Sequence, residues 1–283
     1  MARRRAFTLI ELLVVITIIG ILISLLFPVY GSIIHSVQEH QCQNNLNQLA
    51  KVMQAYCQQN DGCFPFVGYG SSIKPSAEDW LFVSRLGARP LTSTAGVVVD
   101  TYAALGDLQR GAFVRNKMVG KTDIFYCPTD LDQGLIRGPG NSRQHSCLRY
   151  RDPRTSAILP AATYVVNGSI TYGDATIGTA RRVRKVSEFS PSAFLFIEES
   201  SGDTNNGEPD SACNRAYMSP NDGTRRLTAR HRGGGYIACM DASVIWMTTD
   251  EFEETRRWAT GTDWYKFSPT TSDDARQAKR WNP

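Results

Sequence analysis

The stretch Phe7 to Phe27, FTLIELLVVITIIGILISLLF, constrains this chain more than any other part of it. It follows three consecutive arginines, Arg3 to Arg5, and carries a single ionisable residue, Glu11. About 20 apolar residues match the hydrocarbon thickness of a bilayer, so the run predicts one membrane-spanning helix over 7–27. A carboxylate within such a span costs on the order of 3 kcal/mol at its centre, less near an end, and marks a function with a specific partner. A cut between Ala6 and Phe7 would create that partner, because the new α-amine lies about one helical turn from Glu11. A secretory signal would have a shorter apolar core followed by a small-residue cleavage site; here the run continues as FPVYGSII. Cut or uncut, the positive-inside rule keeps Arg3, Arg4 and Arg5 on the cytoplasmic side and sends the remainder across.

Beyond Phe27 the pattern changes from continuous to one-sided. Pro28 lacks an N–H and crowds the preceding turn, which predicts a kink. Then Cys42, Leu46, Leu49, Met53 and Tyr56 step by four and three as one apolar stripe, with Gln43, Asn44, Asn47, Gln48, Lys51 and Gln54 on the other faces. The same helix therefore leaves the membrane and lays its stripe on a head. From Phe7 to Gln59 it would be about 80 Å long, ending where Gly62 and Pro65 break it. The organisation is thus a basic leader over 1–6, a long helix over 7–59 and a globular head over 60–283, outside the cytoplasm.

The residues at the front carry a resemblance. RRRA before FTLIELLVVITIIGIL, with Glu11 fifth after the cut and Pro28 further on, resembles the N-terminus of type IV pilins and type II secretion pseudopilins. The resemblance implies that prepilin peptidase removes the leader, that Phe7 becomes N-methylated, and that Glu11 helps dock subunits into a filament at an inner-membrane assembly platform. Ala6 stands where that family usually has Gly. A narrower likeness lies further along: CQNNLNQLAKVMQAYCQQNDGCFP from Cys42, Tyr126-Cys127-Pro128-Thr129-Asp130, and ARHRGGGYIACMDASVIWM. These are similar to pilin-like proteins abundant in planctomycetes, whose closing motif is His, nine residues, then Asp-Gly. Here His231 and Asp241 have that spacing, with Ala242 in place of Gly.

The head reads as strands and turns. Ala161 to Asn167 runs into the turn pair Asn167-Gly168, Ser192 to Glu198 is β-rich, and Tyr236 to Met240 with Val244 to Met247 flank Asp-Ala-Ser as the clearest hairpin. Thr248 and Glu251 form a capping box for a helix through Trp258. The segments 82–91 and 101–118 are ambiguous. The expected class is α+β: a long N-terminal helix packed on an antiparallel β-sheet head, as in pilins.

Seven cysteines in an extracytoplasmic head favour disulfides. Cys42 lies on the apolar stripe and reads as a small core residue. Of the other six, Cys57 with Cys63 closes a short loop at the helix end and is the first expectation, Cys127 with Cys147 the second. No Cys-x-x-Cys occurs and the four histidines are scattered, which argues against a thiolate or imidazole metal site. The loop SGDTNNGEPD sets Asp203, Asn205, Glu208 and Asp210 within a Gly-containing segment, and clustered oxygens suit Ca²⁺. Asx turns explain the same residues without an ion; related pseudopilins bind calcium in a loop near the end of the sheet. No cofactor beyond that ion is expected.

His231 with Asp241 could orient a catalytic imidazole, and Glu198-Glu199 is an acidic pair, but no nucleophile motif accompanies either. The expected role of His231 and Asp241 is structural, with the histidine pinning the hairpin turn. The leader's arginines account for most of the formal net charge of +4, so nothing global predicts nucleic-acid binding. RRVRK at 181–185 and RRLTARHR at 225–232 read as a solvated sheet face. The expected function is a non-enzymatic filament subunit, pilin or pseudopilin, with other such subunits, the bilayer, the peptidase and the assembly platform as partners. The alternative is a membrane-anchored extracytoplasmic binding module that does not polymerise.

Overall fold

A computed structural model of the chain describes residues 9–67, 78–81, 111–132, 148–151, 158–172, 182–201, 217–218, 225–259 and 280–281. It divides into two units, 1–40 and 41–283. One helix, α1 (Leu9–Gln59), runs through both without a break at Pro28. Proline removes a single i→i−4 bond, and the helix continues past that loss.

Within the first unit the described apolar side chains of α1 are exposed on every side of the helix. Leu9 is 88% exposed and Ile23 47%. Within the second unit the stripe is closed off: Cys42, Leu46, Leu49 and Met53 are fully buried and Tyr56 nearly so. Helical spacing puts these five on one face, and the sheet supplies the apolar surface that face requires. The helix ends at Gln59 because Gly62 takes a left-handed φ of +79° and donates its N–H to the Cys57 carbonyl at 2.8 Å.

The strands are β1 (Leu148–Arg151), β2 (Ile158–Ala162), β3 (Tyr164–Asn167), β4 (Thr171–Tyr172), β5 (Arg182–Val183), β6 (Phe194–Ser201), β7 (Tyr217–Met218), β8 (Arg225–Leu227), β9 (Gly234–Cys239) and β10 (Val244–Thr248). The principal sheet has the order β10-β9-β6-β3-β7, with β8 also paired to β6. All its pairings are antiparallel except β3 with β7. This is the expected α+β, pilin-like arrangement of helix on sheet.

Both faces of the sheet are covered. Tyr164, Val166, Tyr236 and Ala238 face the α1 stripe together with Trp80, Phe113 and Phe125. Their neighbours Val165, Ile237 and Cys239 face the other way, onto Phe252 of the C-terminal helix (Thr249–Ala259) and onto Trp281. Period-two alternation assigns each residue to its side. Strand β6 departs from it: Leu195 and Phe196 both join the α1 side, and the register against β9 shifts between Phe194 and Phe196. An extra residue there is a bulge, which resets the alternation so that Glu198 ends up facing α1.

The hairpin β9–β10 and its helix form as expected. Gly234 is required at its entry, because a Cβ there would lie 2.2 Å from the Met247 carbonyl oxygen. Thr248 and Glu251 make the capping box reciprocally, at 2.9 and 3.2 Å. Asn167 caps the 3₁₀ turn Gly168–Ile170 by accepting from the Ser169 N–H. Of the two ambiguous segments, Ala112–Arg115 is one helical turn, while 82–110 lies outside the described residues.

Candidate functional site: an N-terminal segment and a buried polar cluster

Two places carry chemistry. The first is the start of α1. Ala6 and Phe7 lie outside the described residues; Glu11 sits in the first helical turns, on an exposed surface of apolar neighbours. Among the described residues no helix is long and apolar enough to cross a membrane. The side chains described within the apolar run stop at Ser24, short of the about 20 residues a span needs.

The second place is inside the head, where five segments that are separate in sequence meet. Cys42 of α1 is bonded to Cys127, with Cα atoms 5.1 Å apart and a sequence separation of 85. Asn45, one turn on, donates to the Tyr126 carbonyl at 3.0 Å, so α1 holds the Tyr126-Cys127 corner by a covalent and a hydrogen bond together. Against that corner lies His231, whose Nε2 is 3.3 Å from Cys127 Sγ and 3.0 Å from Glu198 Oε1. Arg230 donates to the same Glu198 oxygen at 3.2 Å and pairs with Asp130 at 3.8 Å. Asp130 also accepts from Thr163 Oγ1, which in turn accepts from the Cys127 N–H. The charged groups Asp130, Glu198 and Arg230, with His231, are withdrawn from solvent.

Burial alone would push the Glu198 carboxyl up. The opposing effects of His231, Arg230 and the Tyr236 N–H together outweigh it and hold the carboxyl below its usual range. The cost of burying Tyr164, followed by the nearby Glu198 charge, moves its phenol the other way, well above the usual value.

The backbone around His231 is fixed from several sides. Its N–H donates to the Gly234 carbonyl, its carbonyl accepts from Trp246 Nε1 at 2.8 Å, and its ring packs 5.0 Å from Tyr236. The ring, expected to pin the hairpin turn through the backbone or Asp241, reaches Glu198 and Cys127 instead. Asp241 is exposed in the β9–β10 turn and accepts from the N–H and Oγ of Ser243. The turn needs a left-handed residue, which is Ala242 at φ +65°. Asn47 and Gln54, beside the stripe, donate to the Ala242 and Met240 carbonyls at 2.8 Å each, tying the turn to α1.

The expected pairing of Cys57 with Cys63 is replaced by Cys42 with Cys127. Cys57 turns into the core in the last turn of α1, while Cys63 is partly exposed and bridges the backbone of Lys185. Both are thiols, and burial followed by the proximity of Cys63 pushes Cys57 up to about 12. Cys42 is in the core, as its place on the stripe implies, yet its sulfur is bonded. This takes the sulfur of Cys127 away from Cys147, which lies outside the described residues. The arginine-rich stretch 225–232 is not a uniformly solvated face, because Arg230 is buried in ion pairs while Arg226 and Arg232 are exposed. The residues Asp203, Asn205, Glu208 and Asp210 lie outside the described residues.

The cluster does not have the layout of a nucleophile–base–acid triad. A triad uses both imidazole nitrogens, one toward the nucleophile and one toward the acid. Here sulfur and carboxylate both meet Nε2, and the sulfur is in a disulfide. Glu198, His231, Cys42 and Cys127 do bring one donor atom each to within 4.8 Å of one another.

Compared with known proteins, residues 1–27 match the family model of the prokaryotic N-terminal methylation motif. That match supports a pilin-like N-terminus of the kind processed by prepilin peptidase. No curated protein and no solved structure is matched.

Proposed function

We propose that this chain is a subunit of a type IV pilus-like or type II secretion filament. In this reading it is made as a precursor, inserted with Arg3 to Arg5 inside, cut after Ala6 and assembled through α1. The observation that carries the reading is the methylation motif over residues 1–27; from Leu9 on it coincides with α1, and the described apolar side chains there, Leu9 to Ile23, are exposed all round. Each such side chain left in water forgoes about 1.5–3 kcal/mol of burial. A surface of this kind, continuous over several turns, requires lipid before assembly and neighbouring subunits after it. The run from Phe7 to Phe27 is long enough to span a bilayer once, which would place the head outside the inner membrane, periplasmic or on the cell surface.

Glu11 supplies the register. An arriving subunit that places its own Phe7 amine at the depth of Glu11 neutralises two poorly solvated charges at once, which rewards the correct vertical offset and penalises others. The head is structural in this account. Its charged cluster is closed off and its disulfide ties α1 to the Tyr126-Cys127 corner of the head, so pulling on α1 loads that corner directly.

Intact-mass analysis of the membrane-purified chain tests processing. The mass should correspond to a chain beginning at Phe7 and carrying one methyl group. A chain that retains Met1 to Ala6 while forming normal filaments would overturn it.

A further inference from the structure

We propose that the buried cluster is a second, redox-controlled site: with the Cys42–Cys127 bond reduced, the two sulfurs, His231 Nε2 and Glu198 Oε1 bind one zinc ion, and the disulfide excludes it. The proposal is independent of whether the chain forms filaments. Four donors on four separate segments converge with every pair of donor atoms within 4.8 Å. Two thiolates, one imidazole and one carboxylate are a zinc donor set, with Zn–S about 2.3 Å and Zn–N or Zn–O about 2.0–2.2 Å. Tetrahedral bonds of those lengths hold donor atoms roughly 3.3–3.8 Å apart. His231 and Glu198 stand at 3.0 Å and His231 and Cys127 at 3.3 Å, close to that spacing already. The two sulfurs need only separate, which side-chain rotation permits without moving Cα atoms that stand 5.1 Å apart.

The surroundings suit a closed structural site. Glu198 Oε2 accepts the Tyr236 N–H at 3.2 Å and Arg230 donates to Oε1, which orients the carboxylate. His231 is fixed through its backbone by Gly234 and Trp246. All four ligand residues are buried, so a bound ion would have no open position for substrate. Two thiolates and Glu198 offset the ion and Arg230, and Asp130, which shares Arg230, leaves the cluster with one net negative charge.

The redox step is an ordinary exchange. A dithiol reductant transfers two electrons and two protons to the Cys42–Cys127 bond, giving two thiols while its own sulfurs become a disulfide. Zinc then binds the two thiolates and their two protons leave to solvent. Reoxidation by a disulfide donor passes two electrons from the two thiolates to that donor, which takes up two protons from solvent to become two thiols, and the re-formed Cys42–Cys127 bond expels the ion. The site would thus hold α1 to the Tyr126-Cys127 corner in either state, by sulfur–sulfur bond or through the metal.

The test uses the full chain purified in detergent, oxidised or reduced with a phosphine under anaerobic conditions. Zinc is added and counted per chain after desalting, and cobalt serves as the spectroscopic probe. The reduced chain should retain one equivalent of zinc, show thiolate-to-cobalt charge-transfer absorption, and, relative to the same reduced chain with chelator, alkylate more slowly at Cys42 and Cys127 but not at Cys63. The oxidised chain should retain none. His231→Gln should lower zinc affinity at least tenfold, with the circular dichroism of the parent. Zinc retained equally in both redox states, zinc absent from a reduced chain of native circular dichroism, or shielding at Cys57 and Cys63 instead would each overturn the proposal. If His231→Gln does not fold, the wild-type alkylation pattern decides alone.

Discussion

The two halves of α1 are equally helical and both rich in apolar residues, yet they meet opposite fates. Leu9 to Ile23 expose their side chains around the whole circumference, whereas Cys42, Leu46, Leu49 and Met53 are fully buried against the sheet. The difference lies in period rather than in hydrophobicity. A continuous apolar run has no polar face to leave in water, so its covering must come from lipid or from other molecules. A one-sided stripe needs only one partner, and the chain brings it. The same contrast separates two carboxylates. Glu198 is buried with Arg230 and His231 against it, whereas Glu11 lies on the half whose described apolar side chains are exposed.

This contrast predicts that damage to the second half is read as loss of head stability, and damage to the first half as loss of assembly. The largest stability effect should come from Arg230→Ala, which takes the guanidinium away from buried Glu198 and Asp130 and should cost about 3–5 kcal/mol. Chemical denaturation of the detergent-solubilised chain measures it; a change under 1 kcal/mol would mean water reaches the cluster. Leu46→Ala, in the middle of the stripe, should cost about 2–5 kcal/mol by leaving a cavity, whereas Leu13→Ala on the exposed half should leave the head's melting temperature unchanged.

Metal-free reduction of Cys42–Cys127 should cost about 2–4 kcal/mol, since the bond closes a long loop in the unfolded chain. Acid should reveal Glu198. Its carboxyl is held below the usual range in the folded state, so its contribution is fully present above the unfolded value of about 4.3. That contribution is lost as pH falls through the lower folded value, and Glu198→Gln should flatten this part of the stability–pH curve. The smallest effect belongs to Ala242→Gly. Relief of the left-handed strain, about 1–2 kcal/mol, is offset by the lost methyl burial and the freer unfolded chain, leaving a net change within about 1 kcal/mol.

Much of the fold was legible because its signals are local. The stripe from Cys42 to Tyr56, the β9–β10 hairpin and the Thr248–Glu251 capping box each follow from residue type and spacing within a few positions. The buried cluster was not, because each member had a sufficient local explanation. Cys42 reads as core on a stripe, Arg230 as one of a solvated row, and Glu198 as the end of a strand. The bulge at Phe194–Phe196 turns Glu198 toward α1, and no periodic pattern announces it. The motif segments around Cys42, Tyr126 and His231 were visible singly; what joined them was tertiary contact over 85 and 104 residues.

The most direct test of the whole account is Glu11→Ala, followed by two readings on one preparation: the yield of sheared filaments and the melting temperature of the head. Removing a carboxylate from an apolar surface should leave insertion, processing and head stability at parental levels. Filaments should fall to few or none, with processed protein accumulating in the membrane. Parental filament yield from Glu11→Ala would contradict the account and favour a head that is anchored without polymerising.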